Sequence, residues 1–548
     1  MSTHRPRYQF IAETLARHSL GFLAGVTGTD RFIPFHRGAF GHGPREEPYG
    51  TPEHVRLALE ELGPTFIKLG QLLSTRPDLM PPAYADELAK LQDDAPPVPV
   101  EEIRDAIRQE LGAEPEELFS RFDAEPLAAA SIGQAHTART HDGTEVVVKV
   151  RRPGVVARVE EDLDILHNLA ATASRRWEAA RAYDLPGVAQ EFATSLRREL
   201  DYLQEGRSAE RFAENFAGTD VHIPKVFWDT TTSRVLTLER VVGTKIDDLP
   251  ALDAAGIDRE RLARRGADTV LKMIFIDRFF HADPHPGNMF VEAGGALALI
   301  DFGMVGEVDE QLHERLTDFL IAFTRGDPDG LALSLMALSV GRDKVDEEAL
   351  RGALVPFVAL YHGRPLGEIK MGDLITQLFT LLRESHLRLP AEMAALFRVL
   401  VMAEGMGVRL DPAFNLQEVL TPYTERLMRE QLSLPAVARR LADASLDTGR
   451  LLLEMPGGLR RLLKGLDSSG VEVHLRAAEL EPLMGRAERI GNRLVAGMVT
   501  AALIGGIGEL VTRERRWRSW EGALLGAGVS AVSALGGYLL VTARRRRG

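Results

Sequence analysis

Three oxygen-bearing side chains stand in a tight order near the middle of the chain. Asp283 and Asn288 belong to the run His281-Ala282-Asp283-Pro284-His285-Pro286-Gly287-Asn288, and Asp301 heads Asp301-Phe302-Gly303. An Asp, an Asn five residues on, and a second Asp after a short apolar run are the groups that magnesium-assisted phosphoryl transfer needs. The first carboxylate sits beside the acceptor, the amide holds one magnesium, and the second carboxylate bridges magnesium to the phosphates. Two other readings stand beside this one for His281, Asp283 and His285: a solvated loop, or a zinc set of the form His-x-Asp-x-His. The apolar residues Met289, Phe290 and Val291, then Ala296 to Ile300 beyond Gly294-Gly295, predict a hairpin that returns Asp301 beside Asn288.

Phosphate chemistry also needs a cation on a strand, a carboxylate to hold it and a loop over the phosphates. The β-branched run Glu145-Val146-Val147-Val148-Lys149-Val150 follows the hairpin signal Asp142-Gly143, which makes Lys149 the candidate phosphate lysine. The next long helical pattern, 191–216, carries Glu199, Asp201 and Glu205. Asp201 and Glu205, four apart, share one face, whereas Glu199 points elsewhere; a charged solvent face with Arg197, Arg198 and Arg207 is the commoner fate of such residues. Upstream, where a glycine-rich loop would cover phosphates, the chain has Ala128-Ala129-Ala130-Ser131 ahead of Gly133. Alanines restrict such a loop and put methyl groups where phosphates would approach. After Gly303 there is no Ala-Pro-Glu segment and no Ser or Thr before the helical pattern from Glu310, so a protein-substrate platform is not expected.

These features resemble the UbiB family, also called AarF-like atypical kinases, over residues 50 to 420. The alanine-rich loop is one family hallmark, Lys68-Leu69-Gly70-Gln71 matches its Lys-x-Gly-Gln motif, and Glu199-Leu200-Asp201 matches its Glu-x-Asp motif. The resemblance implies an α+β, bilobal, protein kinase-like fold that binds ATP or ADP with Mg2+. It places Lys68 and Gln71 on an N-terminal helical extension that folds over the site and meets Glu199 and Asp201, leaving Glu205 to pair with Lys149. It also implies that Glu239 begins the hinge whose backbone holds adenine. Such an extension obstructs protein substrates and points to water, a small molecule or a lipid as acceptor. Family members support the synthesis of ubiquinone or related isoprenoid quinones.

The domain layout expected is an extension at 1–115, an N-lobe at 116–242, a helical C-lobe at 243–432, a helical linker at 433–490 and two transmembrane helices at 491–543. Segment 522–543 holds 22 residues without a charge, and 494–508 is uncharged as well. Four Arg lie in the loop between these segments and seven outside them, which places both ends in the cytoplasm and the chain in the cell membrane as a multi-pass protein. The competing reading is a buried Gly/Ala-rich helical pair that mediates a homodimer. The body before residue 486 carries 55 basic against 75 acidic residues, which disfavours nucleic acid. With no cysteine, disulfides, thiol catalysis and Cys-based zinc sites are excluded. The N-terminus lacks the apolar core of a signal peptide.

The expectation drawn from all this is a membrane-anchored atypical kinase or ATPase acting among membrane lipids and isoprenoid quinone intermediates, alongside quinone-biosynthesis proteins. Two rivals are a small-molecule phosphotransferase of the aminoglycoside type and a nucleotide-binding pseudokinase scaffold.

Overall fold

A run of helices precedes any strand: α1 (Arg5–Arg17), α2 (Thr51–Leu62), α3 (Pro64–Ser74), α4 (Pro82–Leu88), α5 (Val100–Leu111) and the single turn α6 (Pro115–Leu118). The structure is a computed structural model and describes residues 5–18, 51–76, 79–91, 95–176, 184–339, 346–361, 370–385, 387 and 389–431. The expected linker 433–490 and hairpin 491–543 lie outside the described residues. Among those described, no helix is long and apolar enough to cross a membrane.

The first lobe is an antiparallel sheet of β1 (Arg121–Ala129), β2 (Gly133–Arg139) and β3 (Glu145–Arg151), closed by β5 (Val235–Glu239), which pairs with β3. Strand β3 shows why this sequence makes a site. Val146, Val148 and Val150 are fully buried against Ile103 and Ile107 of α5, so the period of two turns Val147 and Lys149 to the opposite face. Gly143, at φ 93, makes the turn that the Asp142-Gly143 pair predicted.

Between β3 and β5 the chain forms α7 (Val155–Arg176), α8 (Leu185–Glu199), α9 (Tyr202–Asn215) and the short strand β4 (Val221–His222). The single helix expected over 191–216 is therefore two. The break has a local cause: the Asp201 carboxylate accepts from the backbone N–H of Leu203 at 3.2 Å, capping α9, so the helical count that placed Asp201 and Glu205 on one face does not apply.

The second lobe is helical around small sheets. It begins with β6 (Thr244–Lys245), α10 (Leu249–Ala254) and α11 (Arg259–Phe275). β7 (Phe279–His281) leads into the Asp283 loop, and β8 (Met289–Val291) with β9 (Leu297–Leu299) forms the expected hairpin, Met289 opposite Leu299. The Ile300 N–H donates to the Asn288 carbonyl at 2.9 Å, which delivers Asp301 to the same edge as Asn288. β10 (Val305–Glu307) pairs back on β7, and α12 (Glu310–Arg325), α13 (Pro328–Leu338), α14 (Glu347–Tyr361), α15 (Met371–Glu384), α16 (Ala391–Leu410) and α17 (Leu416–Gln431) complete the lobe.

Gly70 fixes how the extension packs. A Cβ there would stand 2.3 Å from Leu91 Cδ1 and 2.8 Å from Leu59 Cδ1, while Gln71 Nε2 donates to the Leu91 carbonyl at 3.2 Å. Gly70→Val is expected to destabilise the protein by about 1–3 kcal/mol through overpacking. Thermal denaturation checks this, and an unchanged Tm would mean that the 89–91 segment yields freely.

Candidate active site

Lys149 occupies the middle of the site. Its Nζ donates to Glu205 Oε1 at 2.5 Å and to Asp301 Oδ1 at 3.4 Å. Burial works against the ammonium, but the charges of Asp301 and Glu205 outweigh it and hold Lys149 above its usual range. Glu205, in the first turn of α9, is itself pushed up by burial. Asp301 is held down at about 2, first by Lys149, against its burial and with His281 and Lys68 assisting. Its backbone lies at φ 63, in the left-handed region that non-glycine residues rarely adopt outside functional sites.

Lys68, projecting from α3, forms an ion pair with Glu199 at the end of α8, both side chains largely withdrawn from solvent. The resemblance had the extension meeting both acids of the Glu-Leu-Asp motif; Lys68 pairs with Glu199, whereas the Asp201 carboxylate caps α9. The four-residue motif thus divides its work: a cation for the site, a glycine for close packing, and a glutamine that ties α3 to the backbone at Leu91.

The loop after β7 is organised by His281. Its Nδ1 accepts the Asp283 N–H at 3.1 Å, so Nε2 carries the proton and donates to the Ile300 carbonyl at 3.3 Å. Burial pushes its pKa down and keeps it neutral. His285 Nδ1 accepts the Gly287 N–H at 3.1 Å. Both imidazoles are thus engaged with backbone, and among the described residues no group of three His, Cys, Asp or Glu is arranged to hold a metal. Asn288 Nδ2 donates to the Asp283 carbonyl at 3.4 Å, leaving its Oδ1 with the Asp301 carboxylate as oxygen donors of the kind magnesium takes.

Two cavities flank these groups and share Lys68, Glu199, Asn288, Asp301 and Gly303 in their walls. One, of about 540 Å³, lies beneath the alanine loop, with Leu127, Val147, Lys149, Leu238 and Phe290 in its lining. The other, of about 680 Å³, is bounded by Gln71, Leu72, Phe192, Asp283, His285 and Arg398. Of the alanine loop, Ala128 and Ala130 line the first cavity. Ala129 gives its carbonyl to the Ala95 N–H at 3.2 Å, and Ser131 is buried. Glu239 ends β5 and lines the same cavity with Arg240 to Gly243, while its carboxylate accepts from the Lys225 N–H at 3.2 Å.

Two arginines escaped sequence reasoning. Arg152 donates to the Ala130 carbonyl at 2.7 Å and the Pro96 carbonyl at 2.8 Å, strapping the alanine loop to the extension. Arg398, on α16, donates to Asp283 Oδ1 at 3.3 Å and to the Ala282 carbonyl. Neither stands in a motif, and most of these contacts are to backbone carbonyls, which leave no trace in residue type.

The description ABC1 atypical kinase-like domain matches residues 90–335, and UbiB helical domain matches residues 356–415. The chain is 35% identical over 502 residues to a protein of Azotobacter vinelandii named probable protein kinase UbiB, an alignment covering 90% of this chain and 88% of that one. The chain belongs to the ABC1/UbiB family of atypical kinases. It is also similar to the uncharacterised protein sll1770 of Synechocystis, 37% identical over 437 residues, covering 79% of this chain and 75% of that one. A third relative is Protein ACTIVITY OF BC1 COMPLEX KINASE 7, chloroplastic, of Arabidopsis thaliana, 33% identical over 493 residues, covering 88% and 71%. As an ABC1/UbiB member the chain is a kinase-type enzyme with an α+β, kinase-like fold. Lys149, Asp283, Asn288 and Asp301 fall in the segment matching the ABC1 domain, and Arg398 in the one matching the UbiB helical domain.

Lys149→Met should let the Asp301 carboxyl rise from about 2 toward its ordinary 3.8 in an NMR titration, because Lys149 is the main cause of the depression. A depressed carboxylate stabilises the folded state above its unfolded pKa and loses that contribution as pH falls through the folded one. Wild-type stability should therefore decline from near pH 4 toward pH 2, with less of that slope in Lys149→Met. An unmoved midpoint would assign the depression to another group.

Proposed function

We propose that this ABC1/UbiB chain binds a magnesium–adenine nucleotide in the cavity beneath the alanine loop. Its phosphoryl group passes to water, a small molecule or a lipid in the second cavity, in support of isoprenoid quinone biosynthesis. The observation that carries this reading is Lys149, held as a cation between Glu205 and Asp301, with Asn288 in the same wall.

The residues fit such a ligand. Leu127, Val147, Leu238 and Phe290 offer apolar surface for a flat ring, with Leu127 and Val242 exposed there as large apolar side chains. Asn288 and Asp301 supply the hard oxygen donors that magnesium takes, incomplete without phosphate oxygens and water. When bound, magnesium supplies neutralisation of the phosphate charge. Lys149 orients the phosphates, Asp301 and Asn288 hold the metal, and Asp283 faces the second cavity, where it can accept a proton from an acceptor hydroxyl.

What bounds the second cavity supports this acceptor class. Residues of α3 and of the 89–91 segment form part of its wall, together with Phe192 and Leu196 of α8 and Met402 of α16. A compact molecule or the head of an amphiphile would meet apolar walls and the Asp283 carboxylate there. The quinone assignment rests on the family resemblance. The uncharged segments 494–508 and 522–543 support a membrane anchor with the enzyme on the cytoplasmic side, where lipid intermediates and quinone-biosynthesis proteins are its partners.

Asp301→Asn at the native locus is the test. Magnesium-dependent nucleotide hydrolysis by the purified full chain should fall about 100-fold or more. Lipid mass spectrometry at matched protein abundance should show less quinone and an accumulated precursor. Retained hydrolysis would remove the metal role of Asp301, and lost hydrolysis with unchanged quinones would remove the quinone assignment.

A further inference from the structure

In the protein-kinase catalytic loop an arginine precedes the catalytic aspartate, within His-Arg-Asp. Here that position is Ala282, and a guanidinium reaches the loop from 115 residues downstream instead: Arg398 donates to Asp283 Oδ1 at 3.3 Å and to the carbonyl of Ala282 itself. The two acceptors lie on either side of one C–N–Cα linkage, from the Ala282 carbonyl carbon to the Asp283 Cα, so the planar guanidinium fixes the Asp283 carboxylate relative to its own backbone. The rest of the loop is tied by other groups. The Asp283 N–H goes to His281 Nδ1 at 3.1 Å, and its carbonyl accepts from the His285 N–H at 2.7 Å and from Asn288 Nδ2 at 3.4 Å. Arg398 holds the Asp283 carboxylate and the Ala282 carbonyl, and its pairing with Oδ1 leaves Oδ2 as the carboxylate oxygen without a partner among the described residues.

A guanidinium withdrawn from water solely to staple helices would be expected to fill its donors. Arg398 is 20% exposed, and its Nε is buried with no partner among the described residues. Both Arg398 and Asp283 line the 680 Å³ cavity, and neither lines the cavity beneath the alanine loop. The group is thus placed to act on the acceptor side of the reaction and not on nucleotide binding.

We propose that Arg398 of the helical domain is the positioning residue for Asp283, holding one carboxylate oxygen so that the other faces the acceptor. This rests on the reading of Asp283 as the catalytic carboxylate. In this arrangement the loop is complete only while α16 is docked against it, which gives the helical domain a direct part in turnover.

The test compares the full chain with Arg398→Met, Arg398→Lys, Asp283→Asn and the double variant Asp283→Asn/Arg398→Met, reading nucleotide affinity, kcat for hydrolysis per folded molecule, and Tm. Arg398→Met should lower kcat about 10- to 100-fold, the range for a misplaced catalytic group, with nucleotide affinity within about twofold of wild type. Arg398→Lys, which keeps the charge and loses the planar pair of donors, should recover part of the loss and serves alone where the Met variant does not fold. In the Asp283→Asn background the Arg398→Met change should add nothing, because it acts through a group already removed. An additive loss, a loss confined to Tm, or an equal fall in nucleotide affinity would overturn the inference while leaving the role of Asp283 standing. Full turnover in Asp283→Asn would overturn the catalytic reading itself, and the inference with it.

Discussion

The site hangs on one desolvated charge. An ammonium removed from water on the inner face of a β-strand is unfavourable unless carboxylates surround it, and a lone partner leaves donors unfilled. Lys149 has two, and they come from different parts of the chain: Glu205 from the first turn of α9 and Asp301 from the loop after β9. The ion cluster therefore joins the sheet, the helical insertion between β3 and β5, and the second lobe at one point. Against its burial Lys149 is held above its usual range by the two carboxylates, Asp301 is held down first by Lys149, and burial pushes Glu205 up. The left-handed φ of Asp301 stands at the same point, on the residue whose carboxylate accepts from Lys149.

The division between α8 and α9 serves that cluster. A continuous helix through 191–216 would set Glu199 and Glu205 about 600° apart along the spiral, on widely separated faces. Ending α8 at Glu199 and restarting α9 after the Asp201 cap lets both carboxylates reach the site, Glu199 to Lys68 and Glu205 to Lys149. The motif Glu199-Leu200-Asp201 is in this sense a corner: an acid for the extension, a buried leucine for the core, and a cap that starts the next helix.

The sequence carried the local parts of this legibly and the distant parts hardly at all. The β3 strand with its Asp142-Gly143 turn, and separately the hairpin that returns Asp301, each follow from alternation and turn chemistry within one short segment. Pairing Lys149 with Glu205, 56 residues apart, came from family resemblance, since helical spacing favoured a face shared by Asp201 and Glu205. That spacing failed because a side chain competed for the helix backbone, which period counting cannot register. Arg152 and Arg398 were invisible for a further reason: their acceptors are largely main-chain carbonyls, identical in every residue, and their separations of 22 and 115 residues are set by packing alone.

The alanine loop shows how the same packing alters the chemistry. A glycine-rich loop binds phosphate by supplying backbone N–H groups from a segment free to close. Here Ala129 and Ala130 give their carbonyls to Ala95 and Arg152, and Arg152 reaches on to Pro96. Moving the loop away from its place would break these hydrogen bonds to the extension. That extension also delivers Lys68 to the wall common to both cavities. The extension thus helps hold the roof of one cavity in place and supplies a cation to the wall that both cavities share.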